Sequence, residues 1–448
     1  MFVDGDIYCK FHDKTRSMPL AIDDSATTDS PFDVDPDSSS AIRYAGMKCA
    51  PKAQSRTLAW MPGLMIQEIA AALANKTVFV TGHTGFKGSW LALWLARLGA
   101  RVVGYALPPN TQPNNFTASG VRECLADHFE ADVRDISALG QALCKTKPDV
   151  VLHLAAQPLV RASYADPRTT FEVNVNGTIN VLDCLRTIGR PCAVVCITTD
   201  KCYENREQVW GYRETDSLGG YDPYSASKAA TEIAVSSYRQ SFFQFDRSLN
   251  TRVSIATARA GNVIGGGDWA ADRIVTELAR AAVDGRPGEL RNPAALRPWQ
   301  HVLEPLAGYL SLAAKMVASP SAQWCEAWNF GPLPGDELPV GALADRFFAA
   351  WGTGGWRNVG EPNQPHEAGL LKLCIDKAVG RLGWRPQWRV GEAIERTASW
   401  FRNYYADPAG AQRACLQEIA EYERAMAAGT YQHNDSTASS RAAVARAA

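Results

Sequence analysis

Short runs of β-branched and aromatic residues alternate along the chain with longer stretches whose apolar positions recur at helical spacing. Such runs read as strands buried on both faces, and the longer stretches as amphipathic helices laid against them. Strands are predicted at Thr77–Thr81, Arg101–Ala106, Val150–Leu154, Ala193–Thr198 and Arg252–Ala258, with another ending near Glu130. Helices are predicted at Ser89–Leu98, near Thr169–Ile188 and over Ser225–Phe242, and a short one over Ile66–Ala74 leads into the first strand. Strands alternating with helices imply an α/β protein with a Rossmann-type, doubly wound parallel sheet.

The pattern changes at both ends. Residues 1–64 are rich in Asp, Ser, Pro and Thr, as in Asp35-Pro36-Asp37-Ser38, and show no periodicity. They are expected to be a disordered natural extension or a non-native leader, with Met65 as a candidate start. Residues 431–448 form a polar, Ala-rich tail. Beyond Gly261 the alternation loosens and Pro and Trp become common. Residues 65–260 are therefore expected to form the dinucleotide-binding domain, and 261–430 mainly a smaller substrate-binding region.

Composition narrows the function classes. With 46 basic and 47 acidic residues the formal net charge is −1, so no broad field recruits nucleic acid or an anionic membrane. No apolar run approaches the roughly 20 residues that span a bilayer, and the start of the chain lacks a secretory signal pattern. Of the eleven cysteines, Cys144, Cys184, Cys192, Cys196 and Cys202 sit inside apolar stretches without C-x-x-C pairs or nearby His at zinc spacing, so reduced packing residues, a cytoplasmic location and no metal are expected.

The first predicted strand runs into Gly82-His83-Thr84-Gly85-Phe86-Lys87-Gly88 and then into a helix. Glycines at this spacing allow a tight turn, close backbone approach to a pyrophosphate and close helix–strand packing. The helix N-terminus then faces the anion. An acidic residue that would bind the ribose 2′-hydroxyl of NAD is missing from the end of the second strand, Val103-Gly104-Tyr105-Ala106-Leu107. NAD and NADP therefore stay open on these residues alone. Lys87 reads either as a partner for a 2′-phosphate or as a solvated side chain, and Asp132, beside Val133, as an adenine contact or a turn residue.

Tyr224-Ser225-Ala226-Ser227-Lys228 places a phenol and an ammonium one helical turn apart. A cation there favours the phenolate, so a Tyr with a reference pKa of about 10 is expected to serve as a base near neutrality. Thr199-Asp200-Lys201 follows the fifth strand, at the sheet end where ligands sit in such folds.

These segments resemble the extended short-chain dehydrogenase/reductase superfamily, and within it the CDP-glucose 4,6-dehydratases. The resemblance covers about Lys76 to Tyr405. It is carried by Thr81–Trp90, Leu154-Ala155-Ala156-Gln157-Pro158, Thr198–Tyr203, Gly261–Trp269 and Arg297-Pro298-Trp299-Gln300-His301-Val302. It implies a tightly held NAD that takes hydride from C4 of CDP-glucose, loss of water across C5 and C6, and return of the hydride to C6. It further implies that Tyr224 takes the 4-hydroxyl proton, Thr199 bonds the 4-oxygen, Asp200 protonates the departing 6-hydroxyl, and Lys228 holds the nicotinamide ribose. Where relatives acting on dTDP-glucose have Asp-Glu, this chain has Asp200-Lys201, so the C5 base is open. A homodimer through the Thr169–Ile188 and Ser225–Phe242 helices is implied as well.

Asn262, Arg291 and Arg297 are candidates to hold the sugar diphosphate, since guanidinium binds phosphate oxygens bidentately. Leu154, Ala155 and Ala156 give a cofactor backbone room; His153 and Asn174 read as architectural. Two other functions share part of this pattern. A sugar-nucleotide 4-epimerase needs Thr199, Tyr224 and Lys228 but no acid for a 6-hydroxyl, and a non-catalytic redox sensor would not need to keep both Tyr and Lys.

Overall fold

The computed structural model describes residues 64–243, 253–360 and 369–429; the expectations for the leader and the tail lie outside the described residues. Seven strands build the central sheet: β1 Thr77–Thr81, β2 Arg101–Ala106, β3 Asp127–Glu130, β4 Val150–His153, β5 Cys192–Ile197, β6 Val253–Arg259 and β7 Ala327–Asn329. Their spatial order is β7-β6-β5-β4-β1-β2-β3 and every pairing is parallel. The chain winds outward from β1 in one direction and from β4 in the other, so a crevice opens between their carboxyl ends.

The central strands β4 and β5 are largely apolar and fully buried because helices cover both faces, whereas the edge strand β3, Asp127-His128-Phe129-Glu130, is polar and only partly buried. Alternate residues enter different cores: Val78 and Val80 join a cluster with Trp90 and Trp94, while Phe79 joins one with Leu139, Leu143 and Val181. Fully burying each such side chain contributes roughly 1.5–3 kcal/mol.

The helices are α1 Leu64–Leu73, α2 Phe86–Arg97, α3 Ile136–Thr146, α4 Gly177–Thr187, α5 Pro223–Ser241, α6 Ile274–Val283, α7 Leu303–Ala318, α8 Val340–Trp351, α9 Val390–Ala406 and α10 Ala411–Ala428. Helix α5 starts where Asp222 accepts from the Ser225 N–H at 2.9 Å, with Pro223 in its first turn. That cap is the local reason the helix begins one residue before Tyr224. The predicted helix near Thr169–Ile188 is interrupted: Pro167–Phe171 and α4 flank a π-helical turn, Glu172–Asn176.

After residue 260 the chain does not stay in one separate layer. Helix α7, almost wholly buried, and β7 return to the central sheet, β7 pairing with β6. Ala327-Trp328-Asn329 is too short to show a strand period, and its pairing is supplied by the neighbour. Three short pairs lie outside the sheet: Gln300–His301 on Val263–Ile264, Leu296–Pro298 on Glu337–Pro339, and Gly288–Leu290 on Trp356–Asn358. No helix among the described residues is long and apolar enough to cross a membrane.

Candidate active site

The crevice is shaped by backbone meeting backbone. Gly82 takes a φ of +73°, and a Cβ there would stand 2.8 Å from the Ala155 nitrogen. A Cβ on Gly88 would stand 2.1 Å from the Gly82 carbonyl oxygen. Loop, β4 and α2 thus touch at positions that admit only glycine. Helix α2 has no side-chain cap, so its first N–H groups are available to an anion.

The Thr81 hydroxyl accepts from the Leu154 and Ala155 N–H groups, each at 3.1 Å, and pairs with His153 Nδ1 at 2.7 Å. His153 Nε2 meets the Thr178 hydroxyl at 3.0 Å, which donates to the Asn174 carbonyl. Burial holds this imidazole neutral, with its pKa pushed down to about 3. Asn174 accepts from the Gln157 N–H and donates to the Gln157 carbonyl and the Ser227 hydroxyl. Both residues brace the β4 end against α5.

A cavity of about 720 Å³ fills the crevice, within the range of ligand pockets. Gly82, Thr84, Gly85, Phe86, Lys87 and Gly88 line one wall, with Asp132, Val133, Leu154, Ala155 and Ala156 at one end. Thr199, Lys201, Tyr224 and Lys228 stand at the other, followed by Asn262 and Arg291. Its titratable lining comprises six cations, Lys87, Arg161, Lys201, Lys228, Arg273 and Arg291, against three acids, Asp132, Asp268 and Asp272. An excess of cations beside an uncapped helix start and a glycine cradle fits a dinucleotide and a second phosphorylated ligand.

The Tyr224 phenol stands beside Thr199, which pulls its pKa down, and the Thr199 hydroxyl donates to Asp200 Oδ1 at 2.9 Å. Lys201 Nζ lies 3.8 Å from the same carboxylate oxygen. Asp200 is fully buried behind Thr199, and its Oδ2 has no hydrogen-bond partner among the described residues. A Cβ on Gly261 would fall 1.8 Å from that oxygen, so glycine is what leaves the carboxylate its space.

The expected poise of Tyr224 near neutrality is not what the protein alone provides. Burial pushes the phenol up to about 12, against the Thr199 hydrogen bond and the Arg273 charge that pull it down. Burial also pushes Lys228 down to about 8, and its Nζ donates to the Ile197 carbonyl at 3.2 Å. Desolvation outweighs the pairing that the spacing suggests, because the helix buries both groups.

Other candidates fall differently. The His83 side chain is packed behind the loop, its Nε2 2.8 Å from His128 Nδ1, and does not line the cavity. Its place is set by Gly104, whose missing Cβ leaves room for the ring. Asp132 lines the cavity but already accepts from Arg134 at 2.7–3.0 Å. Arg297 lines a smaller adjoining cavity with Asn262 and Arg291, and donates to the Leu296 and Gly369 carbonyls. Arg161 and Arg273 were not foreseen. Arg273 follows shortly after the Gly261–Trp269 segment, which marked the place, but an irregular loop gives a lone Arg no pattern to be read from.

Lys228 permits a stability prediction. Between pH 8 and 10.5 the unfolded chain binds more protons than the folded one, so stability rises with pH across that window and the burden is full below it. Lys228→Met should therefore stabilise the nucleotide-free protein at neutral pH, by on the order of 1–3 kcal/mol, and reduce the alkaline rise. Lys87, also held at about 8 by burial, keeps part of the slope. Thermal melts across that pH range check this; an unchanged slope in the variant refutes it.

Comparison with known proteins agrees with this geometry. Residues 79–316 match the GDP-mannose 4,6-dehydratase family model. A CDP-glucose 4,6-dehydratase from Salmonella typhimurium is 47% identical over 329 residues, 73% of this chain and 91% of that protein. Among solved structures, UDP-glucose 4-epimerase from Thermus thermophilus in complex with NAD is 27% identical, with a TM-score of 0.60 over 73% of this chain and 99% of that one. An epimerase from Methanothermobacter thermautotrophicus shares the fold, with a TM-score of 0.65 at 23% identity, covering 77% and 97%. The chain belongs to the GDP-mannose 4,6-dehydratase family, within the extended short-chain dehydrogenase/reductase superfamily.

Proposed function

We propose that the protein is an NAD-dependent CDP-glucose 4,6-dehydratase, forming CDP-4-keto-6-deoxyglucose and water. The observation that carries this reading is the meeting of Tyr224, Thr199 and Lys201 in the cavity that begins at the glycine loop, with Asp200 buried behind Thr199 and bonded to it. The 47% identity to a CDP-glucose 4,6-dehydratase supports both the dehydration and the cytidine substrate. An epimerase would have no use for the acid–base pair at Asp200-Lys201.

Gly82, Thr84, Gly85, Phe86 and Gly88 would hold the cofactor pyrophosphate, Asp132 and Val133 its adenosine end, and Leu154, Ala155 and Ala156 its middle. When bound, NAD supplies the hydride acceptor for C4, the later donor for C6, and a positive charge at the nicotinamide. The chain's own residues manage the protons. Tyr224 takes the 4-hydroxyl proton, with Thr199 bonding the same oxygen. The resulting ketone acidifies C5–H, and the partly exposed Lys201 is the chain's base candidate there. Asp200, buried beside it, delivers a proton to the departing 6-oxygen. Lys228 orients the nicotinamide ribose. Arg273 and Arg291 neutralise the diphosphate and Asn262 hydrogen-bonds it, with Arg297 beyond them.

A homodimer accompanies this reading. Phe171, at the end of the Pro167–Phe171 helix, and Ile233, on α5, are exposed, and a two-fold contact would cover them. Sedimentation velocity should give twice the chain mass, and a monomer at micromolar concentration would rule it out.

Purified protein given CDP-glucose should yield the 4-keto-6-deoxy product, seen by its absorbance in alkali, and dTDP-glucose should give at least about tenfold less, as loss of base-specific contacts would. Turnover of neither sugar nucleotide removes the dehydratase reading, and epimerised product without dehydration selects the alternative.

A further inference from the structure

Behind the catalytic turn lies a buried ion pair that the proton steps above leave unused. Glu232 sits on α5, one turn beyond Lys228, and Arg259 ends β6; their side chains are 3% and 4% exposed. Both carboxylate oxygens are engaged. Oε1 accepts from the Thr198 hydroxyl, and Oε2 accepts from Thr257 Oγ1 at 2.7 Å and Arg259 Nη2 at 2.9 Å. Arg259 Nη1 donates to the Tyr203 hydroxyl at 2.7 Å and the Glu214 carbonyl at 3.2 Å. The Tyr203 hydroxyl donates to Asn329 Oδ1 at 2.7 Å, and Asn329 Nδ2 donates to the Tyr212 and Cys374 carbonyls.

This pair joins the catalytic helix, the residue preceding Thr199, the end of β6, the loop after Lys201 and the end of β7. Stability alone is a poor reason for such a group. Desolvating two charges offsets their attraction, and apolar residues of similar shape often serve as well or better. Geometry is a better reason, because a buried network in which both Glu232 oxygens and both Arg259 Nη atoms are bonded, with only Arg259 Nε left without a partner among the described residues, favours one arrangement. The turn it anchors has few strong bonds of its own. Its backbone N–H groups at Lys201, Cys202 and Tyr203 reach their acceptors only at 3.4 Å.

We infer that Glu232 and Arg259 are positioning residues. The ion pair, through Thr198, holds the Thr199-Asp200-Lys201 turn in register with Tyr224 and Lys228. The reaction needs one group to serve the 4-oxygen and others to serve C5 and the 6-oxygen without the sugar leaving. Displacements near 1 Å cost such arrangements about 10²-fold. The inference rests on the dehydratase reading above.

Two variants test it. Glu232→Leu/Arg259→Met exchanges the pair for an apolar one, and Thr198→Val keeps the pair and its Arg259–Tyr203 bond and removes only the link through Thr198. Melting temperatures near the parent's are expected, with kcat for CDP-glucose lowered about 10- to 100-fold and KM within about twofold. Amide exchange at residues 201–203 should accelerate at least about tenfold in both variants, while β1 and α2 keep parental rates. Parental kcat in the apolar variant, or parental exchange at 201–203 in Thr198→Val, overturns the inference. If the apolar variant does not fold, Thr198→Val decides alone. Exchange needs no substrate: a parent that does not turn over CDP-glucose counts against the functional reading, while exchange still judges the positioning role.

Discussion

Tyr224→Phe should abolish most turnover, by roughly 10²–10⁴-fold, the share that a positioned acid–base group supplies. It should do so without emptying the cofactor site. The Tyr224 ring is 8% exposed and packed at the start of α5, and Phe keeps that ring. Only the hydroxyl is lost, and Thr199 retains its bond to Asp200 at 2.9 Å. With the hydroxyl gone, no acid–base group remains at that position, so a modest rise in pH should not recover the lost activity. Product formation and the transient absorbance of reduced nicotinamide, followed together, separate the first oxidation from later steps. Turnover within about tenfold of the parent would take Tyr224 out of its assigned role.

Gly88→Ala should lose the bound nucleotide and destabilise the fold. The new methyl would stand 2.1 Å from the Gly82 carbonyl oxygen and 2.7 Å from the His83 Cα. Backbone atoms cannot rotate away as a flexible side chain can, so α2 must move off the loop. Overpacking of this kind costs about 1–3 kcal/mol, and the shift opens the phosphate cradle itself. Gly380→Ala is the matched control, because a Cβ there meets nothing within 4 Å. Nucleotide released on denaturation, together with melting temperature, gives the comparison. Retention of nucleotide by the Gly88 variant would mean that the helix start is not the anion site.

Sequence legibility differed from element to element. β1 and β2 fall on their expected residues, and β4, β5 and β6 lie within one residue at either end. Long apolar runs bounded by turn residues leave little choice. The glycine spacing also located the loop, because a missing Cβ is a property of the residue itself. His83 shows the limit: its position in the loop suggested a cofactor contact, but Gly104 on the neighbouring strand opens a pocket that takes the ring away.

The chemistry was legible as a list of residues and not as an environment. Tyr224 and Lys228 are one turn apart in any helix, so their proximity followed from spacing. How far burial shifts each group depends on what α7, β6 and the 261–273 loop place around them, and those segments are distant in sequence. Arg273 joins the cavity for the same reason, and so does the Glu232–Arg259 pair, whose members lie 27 positions apart. By itself the sequence determined the parallel sheet, the glycine loop and the one-turn spacing of Tyr224 and Lys228, because periodicity, glycine and helical pitch act locally. Only the tertiary structure decided which cations face the cavity, which carboxylate oxygen is buried without a partner and which ion pair lies behind the Thr199-Asp200-Lys201 turn, since desolvation and charge pairing arise only when remote segments close on one another.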